Sequence, residues 1–452
     1  MLKKIINAKH TQAVIAQAGP SGLAIISFMI LARVFSKEDF GQWALYVMLI
    51  TIVDLIKSGL VETALIKYSS GCDKDEKNEV IGSSWLLNIV FVISLLIISQ
   101  LILYLEIFEI EGAVLFLIYY PLYGIFSMPY FYFIWNNQVL LDFKKIVIVK
   151  LINSFIFLSV CISSFFLKFN LEQIILFNIL GFSITSIICL FWGQTGWNKL
   201  LMATKVTVIK CVNFGKYHML SYLGTNVLKS SDTFLIGAFL GPAAIAVYSV
   251  PKRLMLLVHT PLTSAVSVAF PILSANDNKG NKKAFKNNLE KYIGVLTLFY
   301  IPFIFILFLF SRPLVLMLGG AKYEDAVIIF QLFLLYSAFL PFDRLTGVAL
   351  DAMGLPKLNF YKVLIMSIVN IVGDVIVLYY FKSIELVALV TLFTVLSGII
   401  TGYILVKQKI NIELKSILIA GVIAFIEIVK KRKLEFSQRK VDIKTKTTNS
   451  AG

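Results

Sequence analysis

Runs of about twenty apolar residues, the length an α-helix needs to cross a hydrocarbon core, recur twelve times along the chain. The first six fall at 11–34, 40–60, 80–105, 112–135, 146–167 and 171–191. The second six fall at 214–240, 242–270, 292–310, 326–345, 360–381 and 386–406. The pattern predicts an all-α polytopic membrane protein of about 12 transmembrane helices. A thirteenth apolar run at 417–429 is short for a crossing, contains Glu427 and is followed by Lys430, Lys431, Arg432 and Lys433. It reads as a helix lying at the interface, with an extra span as the alternative.

Between the runs, the longest basic connection lies at 193–213. Six runs stand on either side, and an even number gives both halves the same orientation, so a repeat would be parallel, about an axis along the membrane normal. The expected organisation is a six-helix bundle over 1–192, a cytoplasmic linker over 193–213 and a second six-helix bundle over 214–407, the two bundles enclosing a central cavity. Residues 408–433 hold the short apolar helix or extra span. Residues 434–452 form a basic tail with little to bury, expected to be disordered and drawn to anionic lipid.

Composition agrees: 58% of the 452 residues are hydrophobic and only 15% charged, which excludes an ordinary soluble domain. The formal net charge of +16 raises nucleic acid as a partner, but the basic residues lie mostly in loops and at the tail, so none is expected. Their distribution orients the chain, because Lys and Arg are retained on the cytoplasmic side. With the N-terminus inside, Lys3, Lys4, Lys9, Lys67, Lys74, Lys77, Lys144, Lys145, Lys199, Lys205 and Lys279 are all cytoplasmic. The opposite loops carry few basic residues, and one of them, 105–111, is acidic. Met1-Leu-Lys-Lys leads into an apolar stretch without a small-residue cleavage site, which predicts a retained first helix rather than a signal peptide.

No Ser/His/Asp order, HExxH, P-loop or paired-carboxylate loop is present, and no loop exceeds about twenty-five residues, so neither catalysis nor a cofactor is expected. His10, His218 and His259 are too scattered for a metal site, and the four cysteines have no paired spacing and read as free thiols.

The informative charges are buried in apolar runs. With Gly241 as a hairpin tip, Asp232 lies about 13 Å below it, Lys229 about 18 Å, and Lys252 and Arg253 about 16–18 Å. Each such charge costs at least about 2.5–3.5 kcal/mol, so it faces a cavity or a partner. Lys229 and Asp232, three apart on one face, can pair. Lys252 and Arg253 then have no acid in the hairpin, and the surplus positive charge predicts either a dock for an anionic head group or a structural pair with one basic chain snorkelling to the interface. Pro251 beside them bends the helix and frees a carbonyl, as in discontinuous transporter helices.

Asp54 and Asp374 are the intramembrane acids that could couple an ion. Lys57, one turn on, makes a local pair the stronger reading for Asp54, whereas Asp374 has no partner nearby in sequence. Asn88, Asn153, Asn178, Gln331 and Asn370 are candidates either for a polar lumen or for interhelical hydrogen bonds. The tyrosines at 119, 120, 123, 130 and 132 offer sugar-stacking faces, with interface or packing roles as the alternative.

A faint internal repeat aligns Ile30 to Leu45 with Leu235 to Val250, each a helix end, a short turn and an aromatic two residues after a small residue. Ala32 to Trp43, Ser58-Gly59-Leu60 to Lys67, Asp232 to Tyr248, and Leu350-Asp-Ala-Met-Gly354-Leu-Pro-Lys357 together resemble, in order, the polysaccharide-transport (O-antigen) flippases of the multidrug/oligosaccharidyl-lipid/polysaccharide exporter superfamily. The resemblance covers most of the chain. It implies transfer of an undecaprenyl-pyrophosphate-linked oligosaccharide across a bacterial inner membrane by two rocking bundles. The cargo would be an O-antigen, capsule or exopolysaccharide repeat unit, and a polysaccharide polymerase and assembly proteins would be partners alongside membrane lipid. The site residues expected for the substrate are Lys229, Asp232, Lys252, Arg253 and Asn370.

Two rivals come from the same superfamily. A cation-coupled multidrug antiporter needs a cavity acid, often on its first helix, where this chain has only Gln12 and Gln17. A lipid II flippase is chemically closer but is expected to have fourteen spans. A non-transporting scaffold for polysaccharide assembly is the third class.

Overall fold

The computed structural model describes residues 9–424 and 426, apart from 71, 108 and 109; within the helices, the side chains of 9–18, 217, 221, 222, 224, 225 and 227–229 lie outside the description. Lys3 and Lys4, the tail at 434–452 and the basic run 430–433 fall outside it too.

Each of the twelve predicted runs is helical, as it must be where no water satisfies backbone groups. In order they are α1 (Lys9–Val34), α2 (Lys37–Ser69), α3 (Lys74–Tyr104), α4 (Glu111–Val139), α5 (Phe143–Leu167), α6 (Leu171–Phe191) and α7 (Lys205–Leu240). Then come α8 (Pro242–Leu254), α9 (Leu256–Asn278), α10 (Lys282–Leu309), α11 (Ser311–Gly319), α12 (Ala326–Ser337), α13 (Leu340–Ala352), α14 (Pro356–Tyr380) and α15 (Ile384–Lys407). The eighth run is α8 and α9 together, broken at Met255 just after Pro251, and the tenth is α12 and α13, bent by 47°. Among the described residues nine helices, or ten with that bent pair, are long and apolar enough to cross a membrane, so this is an all-α multi-pass membrane protein.

Polar residues mark where helices start. The side chains of Ser36, Asn170, Thr204, Asn281 and Ser383 each accept a hydrogen bond from a backbone N–H of the first turn, and Asn170 with Gln173 completes a capping box. Gly241 turns α7 into α8 at φ 83°, a conformation costly for any residue with a Cβ.

By packing, the chain forms two compact units: residues 1–250 with 316–324, and 251–315 with 325–452. The sequence places the division in the basic connection at 193–213, whereas α7 packs with the first six helices. The reason is close contact between backbones. A Cβ on Gly215 of α7 would lie 2.1 Å from the Leu60 carbonyl oxygen of α2, and one on Gly59 would lie 2.7 Å from Met219 Cα. At the other end of α2, a Cβ on Gly41 would overlap the Pro242 carbonyl at 1.8 Å. Glycine is what lets α2 lie flush on the α7–α8 hairpin. Replacing Gly215 with Val is expected to force the seam apart, costing about 1–3 kcal/mol, and to appear as a melting temperature several degrees lower in detergent.

The first unit builds its core on Val61, Leu65, Trp85, Tyr132, Phe133 and Val149. The second builds its own on Leu273, Phe285, Ile293, Leu345, Leu350, Val406 and Ile417. Ile417 belongs to α16 (Leu414–Ala424), the described part of the thirteenth apolar run, whose backbone meets α10 at Gly294 and Gly421. Residues 425 and 427–429 of that run lie outside the described residues.

Candidate functional site

Within the first unit, the charges cluster where α2 departs from regular geometry. Residues Ser58–Glu62 form a π turn, in which the Thr63 N–H reaches back five residues to the Ser58 carbonyl. One turn before it, Lys57 Nζ stands 2.7 Å from Asp54 Oδ1 and 4.0 Å from the centre of the Phe131 ring. The Tyr123 hydroxyl donates to Asp54 Oδ2 at 2.7 Å. Both carboxylate oxygens are therefore engaged, and the Lys57 side chain is fully buried between carboxylate and ring. This is the local pair the sequence suggested for Asp54. The Ser58 hydroxyl donates to Glu62 inside the π turn, so the irregular backbone carries a second carboxylate on the same stretch.

The tyrosines of α4 take the packing role that was the alternative to sugar stacking. Trp85 and Tyr132 stack at 4.1 Å between ring centres, and Tyr123 and Tyr130 both present edges to Phe182. Tyr120, Tyr123, Tyr130 and Tyr132 are buried, so their faces belong to the core of the bundle. Asn88 is buried too, and Asn153 accepts from the Thr185 hydroxyl at 3.2 Å, the interhelical alternative.

On the hairpin, Asp232 accepts from the Tyr248 hydroxyl at 2.7 Å and from Ser231 at 3.4 Å. The tyrosine reaches it across the Gly241 turn, an arrangement not visible from helical spacing. The expected Lys229–Asp232 pair rests on a lysine side chain outside the description.

The second unit opens on Pro251, Lys252 and Arg253, where α8 ends; both basic side chains are half-buried. Immediately beyond, the helix break at Met255 meets the break between α12 and α13: the Ser337 hydroxyl donates to the Met255 thioether Sδ at 3.9 Å. Two interrupted helices that touch at their interruptions are the arrangement found at membrane-transporter binding sites. Further along, α13 and α14 are joined by a buried ion pair, Lys362 Nζ to Asp343 Oδ1 at 2.7 Å. The same ammonium donates to the Asp343 carbonyl and lies 3.4 Å from Thr346 Oγ1. Asn370 and Asp374 are both buried on α14, and Gln331 donates to Ser311 at 3.0 Å.

Asp343 and Lys362 were not among the candidates read from sequence. The available signal was ionisable residues inside two apolar runs, Asp343 and Arg344 just after Pro341 and Lys362 six residues after Pro356. The four cysteines are free thiols, three of them buried.

Comparison with known proteins bears on this arrangement. The family described as polysaccharide biosynthesis protein matches residues 30–328. An amylovoran biosynthesis protein of Erwinia amylovora is 23% identical over 228 residues, 50% of this chain and 58% of the relative, so the match spans less than two thirds of that protein's length. Among solved structures, an inward-facing multidrug resistance transporter of the MATE family, from the multidrug/oligosaccharidyl-lipid/polysaccharide exporter superfamily, superposes with a TM-score of 0.71 at 13% identity, covering 88% of this chain and 98% of that one. The lipid II flippase in an inward closed conformation gives 0.70 at 19% identity, covering 92% and 90%. These likenesses show the fold, that of the exporter superfamily.

Proposed function

We propose that this chain, which belongs to the polysaccharide biosynthesis protein family, is a flippase that carries an undecaprenyl-pyrophosphate-linked oligosaccharide from the cytoplasmic to the outer leaflet of a bacterial inner membrane. The lysine distribution supports a cytoplasmic N-terminus. The observation that carries the reading is the pair Lys252 and Arg253, half-buried beside two touching helix breaks in a member of a polysaccharide family.

A pyrophosphate brought to mid-membrane needs fixed cations, and Arg and Lys supply charge-assisted hydrogen bonds to its oxygens. The two sugar-proximal requirements follow: a polar path for the oligosaccharide, and a seam that opens on alternate sides. The glycine-mediated contact of α2 with the α7–α8 hairpin, at Gly41 and at Gly59, is the candidate for such a seam. Moving two negative charges outward across about 100 mV, inside negative, releases roughly 4–5 kcal/mol at about 2.3 kcal/mol per charge. The protein then has only to lower the barrier, without nucleotide hydrolysis. Asp54, held by Lys57 and Tyr123, and Asp374 are the acids that would couple an ion if one is exchanged.

The shared fold admits a multidrug antiporter as a second reading. The match of residues 30–328 to a polysaccharide biosynthesis family favours the lipid-linked sugar over an organic cation. The deciding experiment deletes the gene and follows the lipid-linked repeat unit. Accumulation on the cytoplasmic leaflet with loss of surface polymer, reversed by the intact gene, is the expected result. Unchanged leaflet distribution together with lost resistance to organic cations would select the antiporter, and normal flipping with disordered polymer would leave a scaffold.

A further inference from the structure

The connection between α6 and α7 is not a slack linker. Its backbone is fastened to the first unit at several points. Trp85 Nε1 donates to the Thr195 carbonyl at 3.0 Å, and Asn136 Nδ2 donates to the carbonyls of Gln194 and Thr195 at 3.0 and 3.1 Å. The Thr204 N–H donates to Ser83 Oγ at 3.2 Å, and the hydroxyls of Thr204 and Thr207 both reach Glu79. Between these anchors runs a short 3₁₀ helix, Trp197–Met202, pressed so closely on α3 that a Cβ on Gly82 would lie 2.1 Å from the Lys199 carbonyl oxygen.

What this shelf turns outward is apolar. Phe191 is 87% exposed, Trp197 60%, Leu201 97% and Val206 77%. Trp197, Leu201 and Val206 lie between the predicted spans, beyond Phe191 at the end of α6, so the hydrocarbon that surrounds the spanning helices does not by itself account for these three. Beneath Trp197 lies a groove of about 490 Å³, lined by Trp85, Pro129, Leu190, Phe191 and Trp197. That volume is within the range of small-molecule sites. The connection's own charges have one sign, with Glu79 of α3 the acid bonded to its threonines. From residue 190 to 216 the chain carries Lys199, Lys205, Lys210 and Lys216 and no acid. Lys210 sits over the Tyr68 ring and Lys216 bonds Asn213, while Lys199 lies on the 3₁₀ turn itself and Lys205 opens α7 as an exposed side chain.

We infer that this shelf is a binding site for an anionic phospholipid, with an acyl chain in the Trp85–Pro129–Leu190–Phe191–Trp197 groove and the phosphate held by Lys199 and Lys205. Tryptophan and long apolar side chains at the hydrocarbon boundary with lysines reaching the head groups is the physics of an interfacial anchor. Fixing the backbone by the side chains of Trp85, Asn136 and Ser83 makes the site preformed, so little ordering is required when lipid binds. The inference is independent of the cargo.

Tryptophan quenching by brominated lipid tests it on the full chain in bilayer nanodiscs. The protein has five tryptophans, so the Trp197 contribution is taken as the difference between the intact protein and W197F. With a small fraction of brominated phosphatidylglycerol in phosphatidylcholine, quenching of that component is expected to exceed that by the same fraction of brominated phosphatidylcholine at least about fivefold, the factor that each of the two lysines near an anionic surface gives. In K199Q/K205Q, the preference should fall to near unity while elution volume and melting stay unchanged. Equal quenching by both lipids would mean a non-selective annulus and overturn the site. A preference that survives K199Q/K205Q would overturn the role of these lysines, and absent quenching would mean that the shelf is covered by something other than lipid.

Discussion

Replacing Lys362 with methionine is expected to remove most of the folded protein from the membrane. The ammonium stands 2.7 Å from Asp343 Oδ1, and both side chains are more than nine-tenths buried between α13 and α14. Deleting one partner of such a pair leaves an uncompensated buried charge, a loss of about 3–5 kcal/mol. That is a large share of a typical net stability of about 5–15 kcal/mol. The neighbouring helix is shaped around the pair. A Cβ on Gly398 of α15 would come 2.6 Å from Asp343 Oδ1, and one on Gly402 would come 2.5 Å from Thr346 Oγ1. Two apolar residues in place of both charges, D343L/K362M, should recover much of the loss, because the desolvation penalty disappears with the pair. The readouts are abundance in the membrane and melting in detergent, followed by polymer export. A K362M protein as stable as the parent would show that the bridge contributes nothing. A stable but inactive D343L/K362M would move the pair from architecture to transport.

Helices were legible because each run of apolar residues leaves the backbone a single way to satisfy its hydrogen bonds in lipid. Asp54 and Lys57 were legible as a pair for a similar reason: three residues on one helix fix their separation. Pairs made between helices were not. Lys362 and Asp343 are nineteen residues apart on different helices, and Tyr248 finds Asp232 sixteen residues back across a turn. No period along the chain encodes such contacts. The tyrosines of α4 left two readings open for a related reason, since stacking faces look the same in sequence whether they meet a sugar or Trp85 and Phe182. The division into units was also displaced. Composition marks the basic connection at 193–213, but Gly59 and Gly215 let α7 seat on α2, and glycines seen in sequence do not announce what approaches them.

Changing Lys252 and Arg253 together to glutamine is expected to abolish export while leaving the protein in the membrane. Neither side chain is fully buried, so glutamine, which keeps length and hydrogen-bonding capacity, removes charge without opening a cavity. A charge-assisted hydrogen bond is worth about 1.5–3 kcal/mol, which makes each single change roughly a tenfold loss or more and the double change larger still. R253K should fall between the parent and R253Q, because lysine retains the charge but not the planar fork that grips two phosphate oxygens at once. P251A tests the backbone separately: restoring a regular helix before Met255 should also slow export, since the carbonyl and the bend at the break would be lost. Lipid-linked repeat units on the cytoplasmic leaflet, normalised to protein abundance, supply the measurement. Wild-type polymer from the double variant at normal abundance would rule out these two cations as the pyrophosphate site. Graded loss through R253K, single and double variants at normal abundance is the pattern expected of a phosphate contact at this helix break.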